Sequence, residues 1–150
     1  MGARHRDINF YTLGYQLHSP ITLLRLLTAQ NISVLVDVRQ NPISRKRGFS
    51  RTHLAKSARL SGIDYFHAPQ LGTPPAIRKQ YANGGTVPDV LKAYEKYLRN
   101  RRSYLCSLLK RVTSQRFCLL CLESDYTSCH RSIIAEVLAE MTGWQPIHLR

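Results

Sequence analysis

Residues 117–134, FCLLCLESDYTSCHRSII, decide the fold that we predict for this chain. The apolar run at the start is typical of a buried β-strand, and the polar residues that follow indicate a loop. Cys129, His130 and Arg131 then open an amphipathic helix. Because the first N–H groups of a helix lack partners and its dipole is positive at that end, we expect an anion to bind where this helix begins.

Strands and helices alternate in the same way along the rest of the chain. The apolar and turn residues predict strands over 8–13, 33–38, 63–67, 117–122 and 145–148. Helices are predicted from Ser19-Pro20, from Ser50 to near Gly62, over 89–114 as one helix or two joined near Asn100, and from Cys129 to Gly143; residues 76–81 are helical or irregular. We therefore expect an α/β fold: a single three-layer, Rossmann-like domain over residues 1–150, with a mostly parallel sheet of about five strands flanked by helices.

Polar residues follow the predicted strands at the points where these end. In open parallel sheets, ligands bind outside the carboxyl ends of the strands. We therefore expect one cleft to be lined from four segments: Gly14 and Tyr15, Asp37 and Arg39, His67, and Glu123 with Cys129, His130 and Arg131.

Two arginines are the candidate ligand-binding cations, with Gly14 and Tyr15 beside them. A guanidinium fork matches the oxygens of a phosphate or carboxylate, so Arg39 and Arg131 could clamp an anion. The alternative is that they pair with Asp37 and Glu123. Asp37 itself could bind a ribose hydroxyl, act as a base, or anchor Arg39.

Cys129 is the candidate nucleophile. The helix dipole and the neighbouring basic residues favour its thiolate, and His130, His67 or Glu123 could move a proton. The alternative is a buried or helix-capping cysteine with a structural role, which is common for free thiols. Neighbouring helical residues point about 100° apart, so Cys129 and His130 need not face each other.

The sequence predicts no metal site and no cofactor. Cys118, Cys121, Cys129 and His130 contain zinc-ligating atoms, but two residues three apart in a strand point to opposite faces of the sheet. The residues after Gly14 lack a dinucleotide-binding glycine pattern, and the chain contains no GxxxxGK[ST] phosphate loop.

The charge favours a nucleotide or nucleic acid as partner. Lys and Arg total 22 against 9 Asp and Glu, a net charge of +13. Basic residues cluster over 39–59 and 92–116, and the second stretch is interleaved with tyrosines. The candidate nucleic-acid face contains Arg45, Lys46, Arg47, Arg101 and Arg102. The alternative is a solvated surface, with Tyr94, Tyr97 and Leu98 in the core.

The sequence also predicts a cytoplasmic location. No stretch approaches the roughly 20 apolar residues of a membrane-spanning helix, and the first ten residues lack the apolar region of a signal peptide. The bunched cysteines indicate reduced thiols rather than a secreted disulfide framework. No oligomeric state is predicted.

Several segments, taken together and in order, resemble a known family, the domain of unknown function DUF488. They are residues 11–15, 37–39 with Pro42, 49–50, 62–72, 120–123 and 129–131. The resemblance implies an α/β domain and no established reaction. It implies as signature residues Gly14, Asp37, Arg39, Cys121, Glu123, Cys129, His130 and Arg131. The single residue between Cys129 and Arg131 differs from the longer spacing of the cysteine phosphatases, and no Arg or Lys follows Cys121 before Arg131, as a rhodanese-like loop would need.

We expect a cleft that binds a phosphate-bearing nucleotide or a nucleic-acid end and that could support hydrolase or transferase activity. One alternative is a non-catalytic, basic nucleic-acid-binding module, in which the signature residues form a structural hub. A second alternative is a redox-sensing thiol protein.

Overall fold

A five-stranded parallel sheet forms the centre of the protein, as seen in a computed structural model that describes residues 8–150. The strands are β1 (Asn9–Gly14), β2 (Val34–Asp37), β3 (Asp64–His67), β4 (Phe117–Cys121) and β5 (Gln145–Leu149), in the spatial order β3-β2-β4-β1-β5. The predicted α/β class is confirmed, and every strand pair in this sheet is parallel. Most of the segment on which the lack of a signal peptide was argued lies outside the described residues.

Six helices connect the strands: α1 (Pro20–Ala29), α2 (Arg51–Leu60), α3 (Pro75–Ala82), α4 (Val87–Arg99), α5 (Arg102–Val112) and α6 (His130–Thr142). The predicted long segment over 89–114 is thus two helices, the second of the alternatives, and residues 76–81 are helical. Capping boxes at Ser19 and Thr86 start α1 and α4. Gly143, with φ 75°, ends α6 in the left-handed conformation that suits glycine.

Two hydrophobic cores lie on opposite faces of the sheet. The helices α1 and α2 pack on one face and α4, α5 and α6 on the other, which makes three layers. Successive side chains of β4 alternate between the two cores. Cys118 and Leu120 lie in the core under α1 and α2, and Leu119 and Cys121 lie in the core under α4, α5 and α6.

The topology opens a crevice at the carboxyl end of β4. Its neighbours β1 and β2 continue into helices on one face of the sheet, whereas β4 leads into α6 on the opposite face. Chain segments therefore diverge from this point, which is where ligands bind in open α/β sheets. The predicted convergence of polar residues has its physical basis here.

Gly14 at the end of β1 lets the backbone after β4 approach closely. A Cβ atom at Gly14 would lie 1.7 Å from the carbonyl oxygen of Glu123. A side chain at this position would push the Glu123 segment away from the sheet. Gly14 is therefore a packing requirement for the loop that leads to α6.

Within the described part of the chain, no helix has both the length and the apolar composition that membrane crossing requires.

Candidate functional site

Asp37 and Arg39 form a buried ion pair at the end of β2. The guanidinium donates to both carboxylate oxygens, with Nε to Oδ1 at 2.8 Å and Nη2 to Oδ2 at 2.7 Å. Arg39 Nη1 also donates to the Phe49 carbonyl at 2.7 Å and to the Tyr15 hydroxyl at 3.2 Å. The Tyr65 hydroxyl donates to Asp37 Oδ2. We call Asp37, Arg39, Tyr15 and Tyr65 the ion-pair cluster.

Charge and burial act together in the ion-pair cluster. Burial alone would lower the pKa of Arg39, but the hydrogen bond and the charge of Asp37 raise it. Burial and the Asp37 charge raise the pKa of Tyr65, so its hydroxyl stays protonated and donates. Asp37 has no exposed surface. This geometry favours the interpretation of Asp37 as the anchor of Arg39.

Arg131 is also fully buried and contacts protein groups. Its guanidinium donates to Thr12 Oγ1 at 3.3 Å, to the carbonyl oxygen of Glu123, and to the carbonyl oxygen of Ser124 at 3.3 Å. These contacts tie the loop after β4 to β1 and to the first turn of α6. Arg131 therefore holds the loop after β4 through hydrogen bonds, and it does not line the cleft described below.

Two thiols, an imidazole and a carboxylate meet at the carboxyl end of β4. His130 Nδ1 lies 3.7 Å from the Cys121 sulfur and 3.8 Å from the Cys129 sulfur. The Cys121 sulfur lies 3.3 Å from Glu123 Oε2. We call Cys121, Glu123, Cys129 and His130 the thiol cluster. The sequence leaves open whether Cys129 and His130 face each other, and in the fold their reactive atoms do.

The orientation of the His130 ring follows from its contacts. Its Nε2 lies 2.9 Å from the carbonyl oxygen of Val38, which can only accept a hydrogen bond. Nε2 therefore bears the hydrogen, and in the neutral ring Nδ1 presents its lone pair to both sulfurs. The ring of Tyr94 packs edge-on against the imidazole, with centroids 5.2 Å apart. This packing holds the ring in place.

The thiol cluster shifts the proton affinities of all its members. Burial alone would raise the pKa of Cys129, but hydrogen bonds from Cys121 and His130 and the charges of His130 and Arg131 lower it well below its ordinary value. The hydrogen bond to Cys129, followed by burial, raises the pKa of Cys121. Burial opposes a charged His130, yet its contact with Cys129 raises the pKa of the ring. The favoured state is a Cys129 thiolate with Cys121 protonated.

Glu123 is the fourth titrating member of the thiol cluster. Burial and the negative charge of Cys129 raise the pKa of its carboxyl. Burial first, and then the charges of Glu123 and Cys129, raise the pKa of Tyr81 at the end of α3.

A cleft of about 200 Å³ opens above the thiol cluster. Cys121, Glu123 and His130 form its floor, whereas Cys129 lies behind them with 1% of its surface exposed. Its remaining lining residues come from the segments after β1, β2, β3 and β4: Tyr15, Arg39, Gln40, Asn41, Ile43, Thr73, Arg78 and Leu122. The structure thus brings together most of the predicted site, with Cys121 as an added member.

Arg78 lines this cleft, and three basic residues follow Ile43 of its wall along the chain. Arg78 is exposed and donates to Gln40 Oε1 at 2.5 Å. Lys46 reaches the end of β1, where its Nζ donates to the carbonyl oxygens of Gln16 at 2.6 Å and Tyr15 at 3.3 Å. Arg45 and Arg47 flank Lys46 and are exposed. We call Arg45, Lys46, Arg47 and Arg78 the basic rim.

The second predicted basic group lies at the other end of the molecule. Arg99, next to Arg101 and Arg102, pairs with Glu140 in the last turns of α6 at 2.9 Å. Glu140 is ten residues from His130, which is about 15 Å along a helix. Arg101 lies over the ring of Tyr97, 5.6 Å from its centroid. The second basic group therefore lies near the end of α6 that is far from the thiol cluster.

His67 lies outside the thiol cluster. Its Nε2 contacts the carbonyl oxygen of Arg39 at 2.7 Å, at the end of β3. Cys118 and Cys121 do face opposite cores, as the strand period predicted. The spacing of Cys118 and Cys121 therefore excludes only these two as a pair of ligands. Cys121 lies close to the start of α6, and the ligand atoms of Cys121, Cys129 and His130 are within 4.8 Å of one another.

Sequence reasoning missed two members of the site, Arg78 and Cys121. Arg78 lies on α3, a segment with no motif, and only the folded chain brings it to the wall of the cleft. Cys121 was identified as a signature residue but was given no role. Its signal was available, because it lies at the end of a predicted strand, two residues before Glu123.

The fold and this site define an α/β protein with a buried thiol and imidazole cluster at the switch point of a parallel sheet. The model of the family described as "Domain of unknown function DUF488" matches residues 20–138, and the chain belongs to this family. The match includes every member of the thiol cluster, whereas Gly14 precedes it. Neither the curated proteins nor the solved structures contain a match to the chain.

Proposed function

We propose that this protein binds a phosphate-bearing nucleotide or a nucleic-acid end in the cleft and acts on it as a hydrolase or transferase. The observation that supports this proposal is the position of the thiol cluster at a cleft that Arg39 and Arg78 also line, with Lys46 bound to the backbone after β1 beside it. A basic rim attracts phosphate, and a titrating floor offers acid, base and nucleophile. The proposal needs reduced thiols and so places the protein in a reducing compartment such as the cytoplasm.

The basic rim is the proposed phosphate contact. Arg78 is exposed at the wall of the cleft, and its contact with the Gln40 side chain is one that a phosphate can replace or share. Arg39 and Arg131 keep a supporting role in this proposal, because their guanidinium groups bind carboxylate, hydroxyl and carbonyl oxygens of the protein. Gly14 and Tyr15 shape the same wall from the end of β1.

The thiol cluster is the proposed reaction centre. The Cys129 thiolate forms the bond to the electrophilic atom of the substrate, and the bond to the leaving group breaks. Glu123, whose raised pKa favours a bound proton, donates that proton to the leaving group. Water or an acceptor alcohol then takes the group from the sulfur and gives its proton to the Glu123 carboxylate, so that the sulfur returns as thiolate and Glu123 as the acid. Because Cys129 lies behind Cys121, its sulfur must move toward the cleft when the substrate binds.

Binding is tested with fluorescently labelled mononucleotides and with short 5′-phosphorylated RNA and DNA oligonucleotides over a salt series. The double variant Arg47→Ala/Arg78→Ala removes two charges from the basic rim. The matched control Arg101→Ala/Arg102→Ala removes two charges from the opposite end of the molecule. We expect the rim variant to lose about tenfold or more in affinity, since a guanidinium to phosphate contact contributes more than general charge.

Comparing the two variants over the salt series distinguishes binding in the cleft from binding through net charge. If the control variant loses as much affinity as the rim variant, binding follows net charge and the cleft proposal fails. If only the control variant loses affinity, the non-catalytic basic module is the correct interpretation. Turnover of any bound nucleotide is then compared between Cys129→Ser and Cys106→Ser, because Cys106 is an exposed thiol on α5 outside the cluster.

A further inference from the structure

We propose that the thiol cluster is a binding site for a soft divalent metal ion, with Zn²⁺ as the ion it fits best. The ligands are the sulfurs of Cys121 and Cys129, Nδ1 of His130 and a carboxylate oxygen of Glu123. The first three ligand atoms lie within 4.8 Å of one another. This proposal goes beyond the proposed function, because metal binding is measured with no nucleotide present.

The sulfur to nitrogen distances within the thiol cluster match those of a tetrahedral zinc site, and Glu123 is close to one of the two sulfurs. With Zn–S bonds near 2.3 Å and Zn–N bonds near 2.0 to 2.1 Å, a tetrahedron separates sulfur from nitrogen by about 3.6 Å. The two sulfur to Nδ1 distances are 3.7 and 3.8 Å. Sulfur and a carboxylate oxygen would be separated by about 3.5 Å in such a site. The Cys121 sulfur and Glu123 Oε2 are 3.3 Å apart.

The surroundings of His130 are those of a metal ligand. Metal-binding histidines commonly donate their other ring N–H to a carbonyl or carboxylate, which fixes the tautomer and the ring orientation. His130 makes this contact from Nε2 to the Val38 carbonyl at 2.9 Å. The nitrogen that remains, Nδ1, presents its lone pair to the space between the two sulfurs.

The elements that position these ligands are rigid. Cys121 is the last residue of β4, a central strand, and Cys129 is the N-cap of α6. The Cys129 thiol makes no helix-capping hydrogen bond, so its sulfur is free to bind an ion. Two thiolates and an imidazole favour zinc over Mg²⁺ or Ca²⁺, which prefer oxygen ligands.

Glu123 occupies the position nearest to the cleft. It lines the cleft together with Cys121 and His130, so a substrate oxygen can reach the ion by replacing this carboxylate. Metal binding also has a consequence for the thiols. Once both sulfurs bind the ion, neither is available as a nucleophile, so zinc would suppress the thiol reactivity on which the proposed function depends.

The first test is titration of the full-length, reduced protein with Zn²⁺ and with Co²⁺ as a spectroscopic probe. We expect one ion per chain. Bound Co²⁺ should show the thiolate-to-metal charge-transfer absorption of two sulfur ligands and the intense visible bands of tetrahedral coordination. Cys121→Ser, Cys129→Ser and His130→Gln should each weaken zinc binding about 100-fold or more. Glu123→Gln should weaken it about tenfold.

Two cysteines of the same chain supply matched controls. Cys106→Ser alters an exposed thiol on α5, and Cys118→Ala alters a thiol that faces the opposite core. Both should bind Zn²⁺ like the wild type. Circular dichroism and thermal unfolding of each variant, measured without metal, identify any variant that has lost its fold.

Iodoacetamide labelling of the wild type tests the site without any substitution. Zn²⁺ should protect Cys121 and Cys129 from alkylation and leave Cys106 reactive. The proposal is overturned if Zn²⁺ protects none of them, if Co²⁺ gives no sulfur charge-transfer band, or if the Cys106 variant loses binding as the cluster variants do. Zinc binding without nucleotide binding would refute only the proposed function, and nucleotide binding without zinc binding would refute only the metal site.

Discussion

Two buried polar clusters lie side by side at the carboxyl edge of the sheet, and they differ in how their protons are held. In the ion-pair cluster, Asp37 accepts from Arg39 and Tyr65, and each donor has a fixed acceptor. In the thiol cluster, two sulfurs share one imidazole nitrogen, and the Cys121 sulfur also donates to the Glu123 carboxylate. In the first cluster each hydrogen bond has a fixed donor and acceptor, whereas in the second the pKa of Cys129 is lowered while the pKa values of Cys121, Glu123 and His130 are raised.

This difference separates structural from reactive polar groups. A buried ion pair is stable only while both partners are present. Removing one partner leaves the other charge buried and unpaired, which destabilises the folded protein. Groups that share protons have shifted pKa values, and such groups are typical of functional sites. Both clusters contain signature residues of the family, so a residue's membership in the signature does not by itself give it a chemical role.

The largest effect is expected from breaking the ion-pair cluster. Asp37→Ala leaves the Arg39 guanidinium buried beside Tyr15 and Tyr65 with no negative partner. We expect a loss of about 3 to 5 kcal/mol in the free energy of unfolding, measured by urea denaturation. Glu140→Ala is the control, since it breaks an ion pair between exposed side chains, and its unfolding midpoint should stay close to that of the wild type. A small effect of Asp37→Ala would show that Asp37 is not the anchor of Arg39.

A second large effect is expected at the contact that joins the two clusters. Gly14→Ala places a methyl group 1.7 Å from the Glu123 carbonyl oxygen, so the loop after β4 must move. We expect a loss of about 1 to 3 kcal/mol in the free energy of unfolding, the range typical of overpacking. Because Arg131 binds the same carbonyl, the variant should also disturb the thiol cluster.

Gly62→Asn is the comparison for Gly14→Ala. Gly62 has φ 77° and no atom within 4 Å of an added Cβ, and asparagine tolerates this conformation better than other residues do. It should change the unfolding free energy less than Gly14→Ala does and leave Cys129 alkylation unchanged. Unaltered stability and unaltered Cys129 alkylation in Gly14→Ala would show that the loop accommodates a methyl group and that the close contact has no structural role.

The sequence predicted the architecture because the architecture depends on local patterns. The apolar run of β4, the capping residue Ser19 and the terminating Gly143 each determine a short segment. The edge at which the polar residues gather followed from parallel topology alone. The contacts of Arg131 did not follow, because a guanidinium beside a helix start satisfies the same pattern whether it binds a ligand or a backbone carbonyl.

Local sequence patterns also could not predict which residues form the thiol cluster. Cys121 and Cys129 are eight residues apart, and the length of the loop between them does not fix how close their sulfurs come. Their approach depends on Gly14, which admits the loop, and on the Val38 carbonyl, which orients His130. These are long-range contacts with β1 and β2, so only the folded chain shows that the two thiols share one imidazole.

The smallest expected effect on free energy is at Cys129, and it is measured through the pH dependence of the reactivity of its thiol. The ordinary pKa of a cysteine thiol is about 8.5, and below that pH the reactivity of such a thiol falls tenfold for each decrease of one pH unit. Because the pKa of Cys129 is lowered, its thiolate persists at pH values below this. The alkylation rate of metal-free Cys129, followed by mass spectrometry, should therefore stay nearly constant from alkaline to neutral pH. Its absolute rate should be low because the sulfur is buried, so the shape of the profile is the test.

His130→Gln should move this profile to higher pH. Glutamine keeps a polar group beside the sulfurs but removes the positive charge, while the Cys121 hydrogen bond and the Arg131 charge remain. The pKa of Cys129 should therefore rise only part of the way to its ordinary value, and each tenfold decrease in its acid dissociation constant corresponds to about 1.4 kcal/mol of interaction between His130 and the thiolate. Cys106, followed in the same samples, should give the same profile in both proteins. If the reactivity of wild-type Cys129 already falls tenfold for each step of one in pH below about 8.5, the two clusters do not differ in reactivity and the thiol cluster is a second structural hub.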